Sequence, residues 1–229
     1  MDPLVGSSWS DPGTVAGFAQ SRPNDVLLCV ATDELVRCPE AQLLDVGCGA
    51  GRNAIPLARL GWHVFGLDLS WPMISAAAAR GRDADVLGRL QVALAPMDRL
   101  PLRSGSIDMV VAHGIWNLAP SGATFRGALG EAARVARPGA ALFVFTFSRH
   151  TLPDEAHPVP GEQFVFTQFS GQPQCFLTEG ELIAELAAAG FVRESGLPLT
   201  EYNRTSVNAI VKPTAPVIYE GVFRRRVPQ

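Results

Sequence analysis

Leu43-Leu44-Asp45-Val46-Gly47-Cys48-Gly49-Ala50-Gly51-Arg52-Asn53 is the stretch that decides the fold. Its first four residues read as a buried strand, and glycines at three alternate positions end it. Residues 52–60 then read as a helix stopped by Gly61, a natural C′ glycine. Pro56 falls in the early turns of that helix, where a missing N–H costs least. Glycines at such a bend permit dihedrals that other residues resist, and they let a ligand pack directly on the backbone. In an open α/β sheet this place is the carboxyl edge of the strands, where ligands bind.

Downstream the chain keeps alternating. His63 to Leu67 reads as a second strand ending at Asp68, and Ser70 with Pro72 starts a helix that ends near Gly81. Gln91 to Ala95 is a third strand. Ile107 to Ala112 is a fourth, apolar throughout as parallel strands covered on both faces tend to be. Residues 122–136 read as a helix closed by Arg137-Pro138-Gly139, and Leu142 to Phe147 as a fifth strand. Thr178-Glu179-Gly180-Glu181 is a capping box opening a helix that Gly190 ends. Phe191 to Leu199 is expected as a sixth strand and Val217 to Phe223 as a seventh. Strands alternating with helices imply right-handed βαβ units and a doubly wound, mainly parallel sheet.

Two regions stand outside the alternation. Residues 1–36 read as an N-terminal arm, loose to about residue 14, followed by cap helices broken near Pro23. Within residues 37–229, the main domain, the segment 148–177 is rich in Pro, Gly and aromatics and reads as a lid insertion. Its His157, Phe164, Phe166, Phe169 and Phe176 suit either the lining of a pocket for a planar or apolar molecule or a local core.

The chain has 229 residues, 47% hydrophobic and 18% charged, enough for one large α/β domain with a sizeable core. The net charge of −3 lacks the basic excess of a phosphate-tracking protein, so no nucleic-acid partner is expected. Arg224-Arg225-Arg226 reads as a solvated edge. Cys29, Cys38, Cys48 and Cys175 form no CxxC pair and no zinc-ligand cluster, so reduced thiols and no metal are expected. There is no secretory signal and no apolar run of membrane-spanning length, which makes the cytoplasm the expected compartment, without a membrane partner.

Asp68 is the second chemical signal. It ends strand two, 17 residues after Gly51, where a carboxylate can accept from both hydroxyls of a ribose. A nicotinamide fingerprint would read GxGxxG, and Arg52 stands where its third glycine would fall.

Together, Asp45 to Gly51 and Asp68 resemble the nucleotide-binding motifs of the class I S-adenosylmethionine-dependent methyltransferases. The resemblance covers roughly residue 40 to the end. It implies a Rossmann-like seven-stranded sheet whose last strand is antiparallel and inserted beside the fifth. Gly47, Cys48, Gly49 and Gly51 would form the loop around the methionine part of S-adenosyl-L-methionine, with S-adenosyl-L-homocysteine as product. Asp45 would orient that loop or the amino group, Asp68 would hold the ribose, and Leu69 would lie against the adenine. Met97 and Asp98 match the position at the adenine edge. His113 and Gly114 match the position whose backbone meets the amino group. Met73 either touches adenine or fills core, and Asp108, at the opposite end of the sheet, is structural.

Methyl transfer from a sulfonium is an in-line displacement, so the protein supplies alignment and exclusion of water. A general base is needed only for a nucleophile that holds its proton, and His113 and His150 are the candidates. Trp116, Asn117, Arg149, Tyr202, Asn203 and Arg204 are candidate substrate contacts over the ends of strands four to six. Ala112-His113-Gly114-Ile115-Trp116-Asn117 lacks the Asn/Asp-Pro-Pro-aromatic motif of nucleic-acid amino-methylating enzymes. A small-molecule acceptor is therefore expected, on a monomer or homodimer. A non-catalytic binding partner or sensor of the same fold is the alternative, and a nucleotide-cofactor oxidoreductase a further one.

Overall fold

The computed structural model describes residues 4, 6–38, 40–199 and 216–227. The motif strand β1 (Gln42–Val46) lies at the centre of a seven-stranded sheet. On one side it pairs in parallel with β2 (His63–Asp68), which pairs with β3 (Leu90–Leu94). On the other it pairs in parallel with β4 (Ile107–His113), and β4 with β5 (Ala136–Phe147). Beyond β5 come β9 (Ile218–Arg225), antiparallel to it, and the edge strand β8 (Phe191–Arg193). The order is β3-β2-β1-β4-β5-β9-β8, so the last strand is inserted beside the fifth. Between them, β6 (Val165–Phe166) and β7 (Gln174–Cys175) form a separate antiparallel ribbon.

Side chains of β1 alternate between the two faces of the sheet. Leu43 packs with Met109, Val111 and Phe143 beneath α2 (Asp25–Arg37), α3 (Ala54–Leu60) and α4 (Trp71–Asp83). Leu44 and Val46 pack with Val110 and Leu142 against α5 (Gly122–Val135) and α6 (Glu179–Ala188). Both faces are covered, which is why these strands are apolar throughout.

Caps fall where the residue types place them. Ser70 Oγ accepts from Met73 N at 3.3 Å, and Thr178 with Glu181 closes a capping box. Gly61 ends α3 in the left-handed region.

Four expectations need correction. The N-terminal arm is ordered sooner than its composition suggests: α1 (Pro12–Gln20) starts on an Asp11 cap whose carboxylate accepts from Thr14 N at 2.8 Å. The sixth strand stops at Arg193, because Ser195-Gly196-Leu197-Pro198 cannot continue an edge ladder. Arg137-Pro138-Gly139 lies inside β5 rather than before it, as an irregularity where the register with β4 shifts between Ile107 and Met109. Arg224 and Arg225 are tie points rather than a solvated edge. Arg224 holds Glu34 at 2.7 Å and also pairs with Glu194, while Arg225 donates to the Gly190 carbonyl at 3.1 Å.

Three of the aromatics of residues 148–177 go to the core, while His157 and Phe169 stay exposed. Phe164, Phe166 and Phe176 are buried in the same cluster as Phe125 and Leu142, and Phe164 meets Phe125 edge-on at 5.4 Å. Asp108 is structural as expected, accepting from Gln42 N at 2.9 Å and pairing with Arg137. Among the described residues no helix is long and apolar enough to cross a membrane.

Candidate functional site

The strand order reverses between β1 and β4, and the carboxyl ends of β1, β2 and β4 open there onto a cavity of about 380 Å³. Such a switch point is where open α/β sheets bind ligands. Asp45, Gly47, Cys48, Gly49, Asp68, Leu69, Met97, Asp98, His113 and Gly114 all line this one cavity. Met73, 2% exposed, does so too, and therefore both fills core and faces the site. Gly51 sits behind the loop instead; a Cβ there would lie 3.0 Å from Ile55, so it is a packing glycine.

The loop has a defined shape. Gly47 N and Cys48 N both donate to the Leu67 carbonyl, at 2.7 and 3.0 Å. Gly47 has φ +70°, and a Cβ on it would lie 2.6 Å from the Ile115 side chain, so both conformation and space require glycine. At Gly49 the direction of a Cβ is open, with Met73 Sδ at 3.8 Å and Phe18 at 3.9 Å, which leaves the backbone bare toward the cavity.

Asp68 is pre-oriented. Its Oδ2 accepts from Gly49 N and its Oδ1 from Ser70 N, each at 2.9 Å. A carboxylate has about four acceptor positions, so this orientation is compatible with accepting two ribose hydroxyls as well. Asp45 is 2% exposed, and its Oδ2 is a buried atom with no hydrogen-bond partner. Burial pushes its pKa up to about 7; the nearby Arg52 opposes the rise and Asp68 adds to it. An orphaned buried carboxylate oxygen facing a cavity is a place for a ligand cation.

His113 is held on three sides. Its ring stacks on Phe145 at 4.1 Å, Nδ1 lies 3.0 Å from Arg52 Nη2, and Nε2 lies 3.2 Å from Asn24 Nδ2. Asn24 is fixed in turn: its Oδ1 caps α2 by accepting from Leu27 N, and its Nδ2 donates to Glu220 Oε1 at 2.6 Å. Both imidazole nitrogens therefore face N–H groups. Burial, and then the Arg52 charge, push the His113 pKa down to about 4, so the ring is neutral at pH 7. These contacts count against His113 as a general base, although it lines the site.

The other expected contacts do not converge here. His150 is exposed on the turn Arg149–Thr151 and does not line the cavity. Trp116 and Asn117 are buried in the turn Trp116–Leu118, and of that turn only Leu118 reaches the cavity wall. Arg149 spends its guanidinium on carbonyls of its own loop, including Ala156 at 2.9 Å, and lies over Phe166 at 4.9 Å. No residue of 148–177 is among those lining the cavity. Tyr202, Asn203 and Arg204 lie outside the described residues.

Cover comes from the N-terminal side. Leu4, Trp9 and Phe18 line the cavity, the Trp9 and Phe18 rings meet at 5.7 Å, and the Trp9 carbonyl accepts from Ser70 Oγ at 2.9 Å. Ile115, Leu118 and Pro120 complete an apolar wall. Sequence reasoning missed Arg52, Asn24 and Glu220 as parts of this site. The signals were a cation just after the glycine loop and a carboxylate inside the otherwise apolar β9.

The arrangement suits an adenosine with an amino-acid tail: a carboxylate for the ribose, a bare glycine backbone, and an orphaned acid for an amine. A family model for a methyltransferase domain matches residues 44–144. The ubiquinone biosynthesis O-methyltransferase of Xylella fastidiosa (strain M23) is 30% identical over 190 residues, which cover 80% of this chain and 73% of that relative. Among solved structures, the CcbJ methyltransferase from Streptomyces caelestis matches with a TM-score of 0.70 at 16% identity, over 96% of this chain and 98% of that one. The geranyl diphosphate C-methyltransferase from Streptomyces coelicolor A3(2), in complex with Mg2+, geranyl diphosphate and S-adenosyl-L-homocysteine, matches with a TM-score of 0.64 at 17% identity, over 88% and 78%. At these identities the two structures speak to the fold.

Proposed function

The chain belongs to the class I S-adenosylmethionine-dependent methyltransferases, and from that premise we propose that it methylates a small-molecule acceptor over the β1–β4 cavity. The observation that carries this reading is the convergence of the Gly47–Gly49 loop, Asp45 and Asp68 on one cavity at the switch point of the sheet. When bound, S-adenosyl-L-methionine supplies a methyl group already activated by its sulfonium charge.

The chain's own residues bind, orient and keep water out. Asp68, held by Gly49 N and Ser70 N, takes the ribose hydroxyls. Leu69 and Met97 enclose the adenine, with Asp98 at its edge. Asp45 takes the tail ammonium. Trp9 and Phe18 close the cavity from the N-terminal side, and residues 1–36 act as the cap. Excluding water matters because alignment and desolvation are most of what such a displacement asks of the protein.

The wall of Ile115, Leu118 and Pro120 favours an apolar or planar acceptor. The relative's name, an O-methyltransferase of ubiquinone biosynthesis, supports oxygen as the accepting atom. With both His113 nitrogens set against Arg52 and Asn24, and His150 away from the cavity, the reading favours an acceptor that gives up its proton without a histidine base. S-adenosyl-L-homocysteine is the product left in the site.

The test is calorimetric titration with S-adenosyl-L-methionine and S-adenosyl-L-homocysteine, with NAD in a parallel cell. Micromolar binding of the first two without NAD is expected. Binding of NAD alone, or of none of the three, overturns the reading.

A further inference from the structure

The N-terminal segment closes the cavity without burying itself. Neither the turn Ser8–Ser10 nor α1 contains a buried residue, although Trp9 and Phe18 reach from them to the cavity wall. Apolar burial therefore contributes little to holding this segment down, and a segment so held opens at small cost. Hydrogen bonds weigh the more in keeping it closed. Two that tie it to the rest of the molecule lie near its ends, on residues that begin the helices bordering the cavity.

The carboxyl end is fixed at Asn24. Its N donates to Asn53 Oδ1 at 3.0 Å, its Nδ2 to Glu220 Oε1 at 2.6 Å, and its Oδ1 caps α2. Asn53 starts α3 and is 4% exposed. An asparagine there ordinarily caps its own helix, but this one does not; its oxygen is spent on Asn24. Asn24 is thus a fixed joint, and the irregular residues between α1 and α2 run up to it. The amino end is held at Ser70, which is fully buried. Its Oγ accepts from Met73 N, capping α4, and donates its one hydrogen to the Trp9 carbonyl at 2.9 Å. Its backbone N donates meanwhile to Asp68 Oδ1 at 2.9 Å. One residue therefore serves both the carboxylate that faces the cavity and the segment that closes it.

We propose that Ser70 is a positioning residue whose hydroxyl latches the segment from Trp9 to Gln20 shut over a bound cofactor, the segment turning about the Asn24 joint to let the ligand in and out. The proposal rests on the reading of the cavity as the cofactor site. With the latch made, Trp9 stays against the cavity. With it broken, the segment opens more often and the ligand leaves sooner, while Asp68 keeps its orientation through the Ser70 N–H.

The test is a double-mutant cycle on the rate at which S-adenosyl-L-homocysteine dissociates, read by surface plasmon resonance on the immobilised full chain. The four proteins are the parent, Ser70→Gly, Trp9→Ala and the double variant. Glycine removes the hydroxyl, keeps the N–H that Asp68 uses, and starts a helix nearly as well as serine, so urea unfolding of Ser70→Gly should stay close to the parent. In the parent background the substitution should speed dissociation about 3- to 10-fold, the weight of one neutral hydrogen bond. In the Trp9→Ala background, where the latch holds no ring over the ligand, it should change the rate by less than about 1.5-fold. An equal factor in both backgrounds would mean that Ser70 acts through α4 or Asp68, and would overturn the proposal; so would no change in the parent background. A measurement on the parent alone covers the case of a misfolded variant. Hydrogen exchange of residues 9–20 should slow at least about threefold when S-adenosyl-L-homocysteine binds, and unchanged exchange there overturns the latch. A parent chain that does not bind S-adenosyl-L-homocysteine at all would instead sink the cofactor reading, and the latch with it.

Discussion

Replacing Asp45 by asparagine should stabilise the empty protein and weaken cofactor binding, and the structure sets the size of the first effect. The carboxyl group is buried, and its pKa rises from 3.8 to about 7 on folding. For an acid whose folded pKa is raised, the neutral form is the one the fold prefers. Stability is therefore greatest below pH 3.8 and is lost as pH rises through the window up to about 7. Each unit of that window costs about 1.4 kcal/mol. At pH 5 the loss is on the order of 1.5 kcal/mol, and by pH 8 it is on the order of 4 kcal/mol. Asparagine keeps the shape and carries no such titration. The stability advantage of Asp45→Asn over the parent should grow by about 2–3 kcal/mol between pH 5 and pH 8, whatever constant offset the substitution adds. Urea unfolding of both proteins at the two pH values measures this directly. A difference that stays flat within about 0.5 kcal/mol would refute the claim that an ionised Asp45 is strained in the empty site.

Three further outcomes follow from the same geometry. If Asp45 takes the tail ammonium as proposed, only its ionised form does so, and affinity for S-adenosyl-L-homocysteine should fall about tenfold per pH unit below about 7, by calorimetry; a slope that persists in Asp45→Asn would assign it to another group. On the proposed ribose role, Asp68→Ala would remove two charge-assisted contacts and should cost at least about 100-fold in the same assay, with unchanged affinity ruling that role out. Gly47→Ala places a Cβ 2.6 Å from Ile115 at φ +70°, and a loss of about 2–4 kcal/mol in urea unfolding is expected; a neutral effect would show that the loop can move aside.

Much of this protein is legible without a structure because the deciding features are local. A strand, alternate glycines and a capped helix follow one another within residues 43–60, and their order along the chain fixes a parallel sheet with its ligand edge. Asp68 is legible for the same reason, since a residue that ends β2 must stand beside the loop that ends β1 once the two pair in register. Side-chain destinations in the connections were not legible. Phe164, Phe166 and Phe176 compose as well for a pocket as for a core, and only the packing of the β6–β7 ribbon on α5 sends them inward. Arg149 looked like a substrate contact until its own loop supplied the carbonyl acceptors.

What tertiary structure alone decided is the polar wall of the site. Asn24 and Glu220 meet at 2.6 Å although 196 positions separate them, and Arg52 and His113 meet at 3.0 Å across 61. Nothing in the local pattern of either segment encodes those meetings. They exist because β9 inserts beside β5 while α2 packs over the same edge, and charges so enclosed keep their character only by finding each other or a ligand.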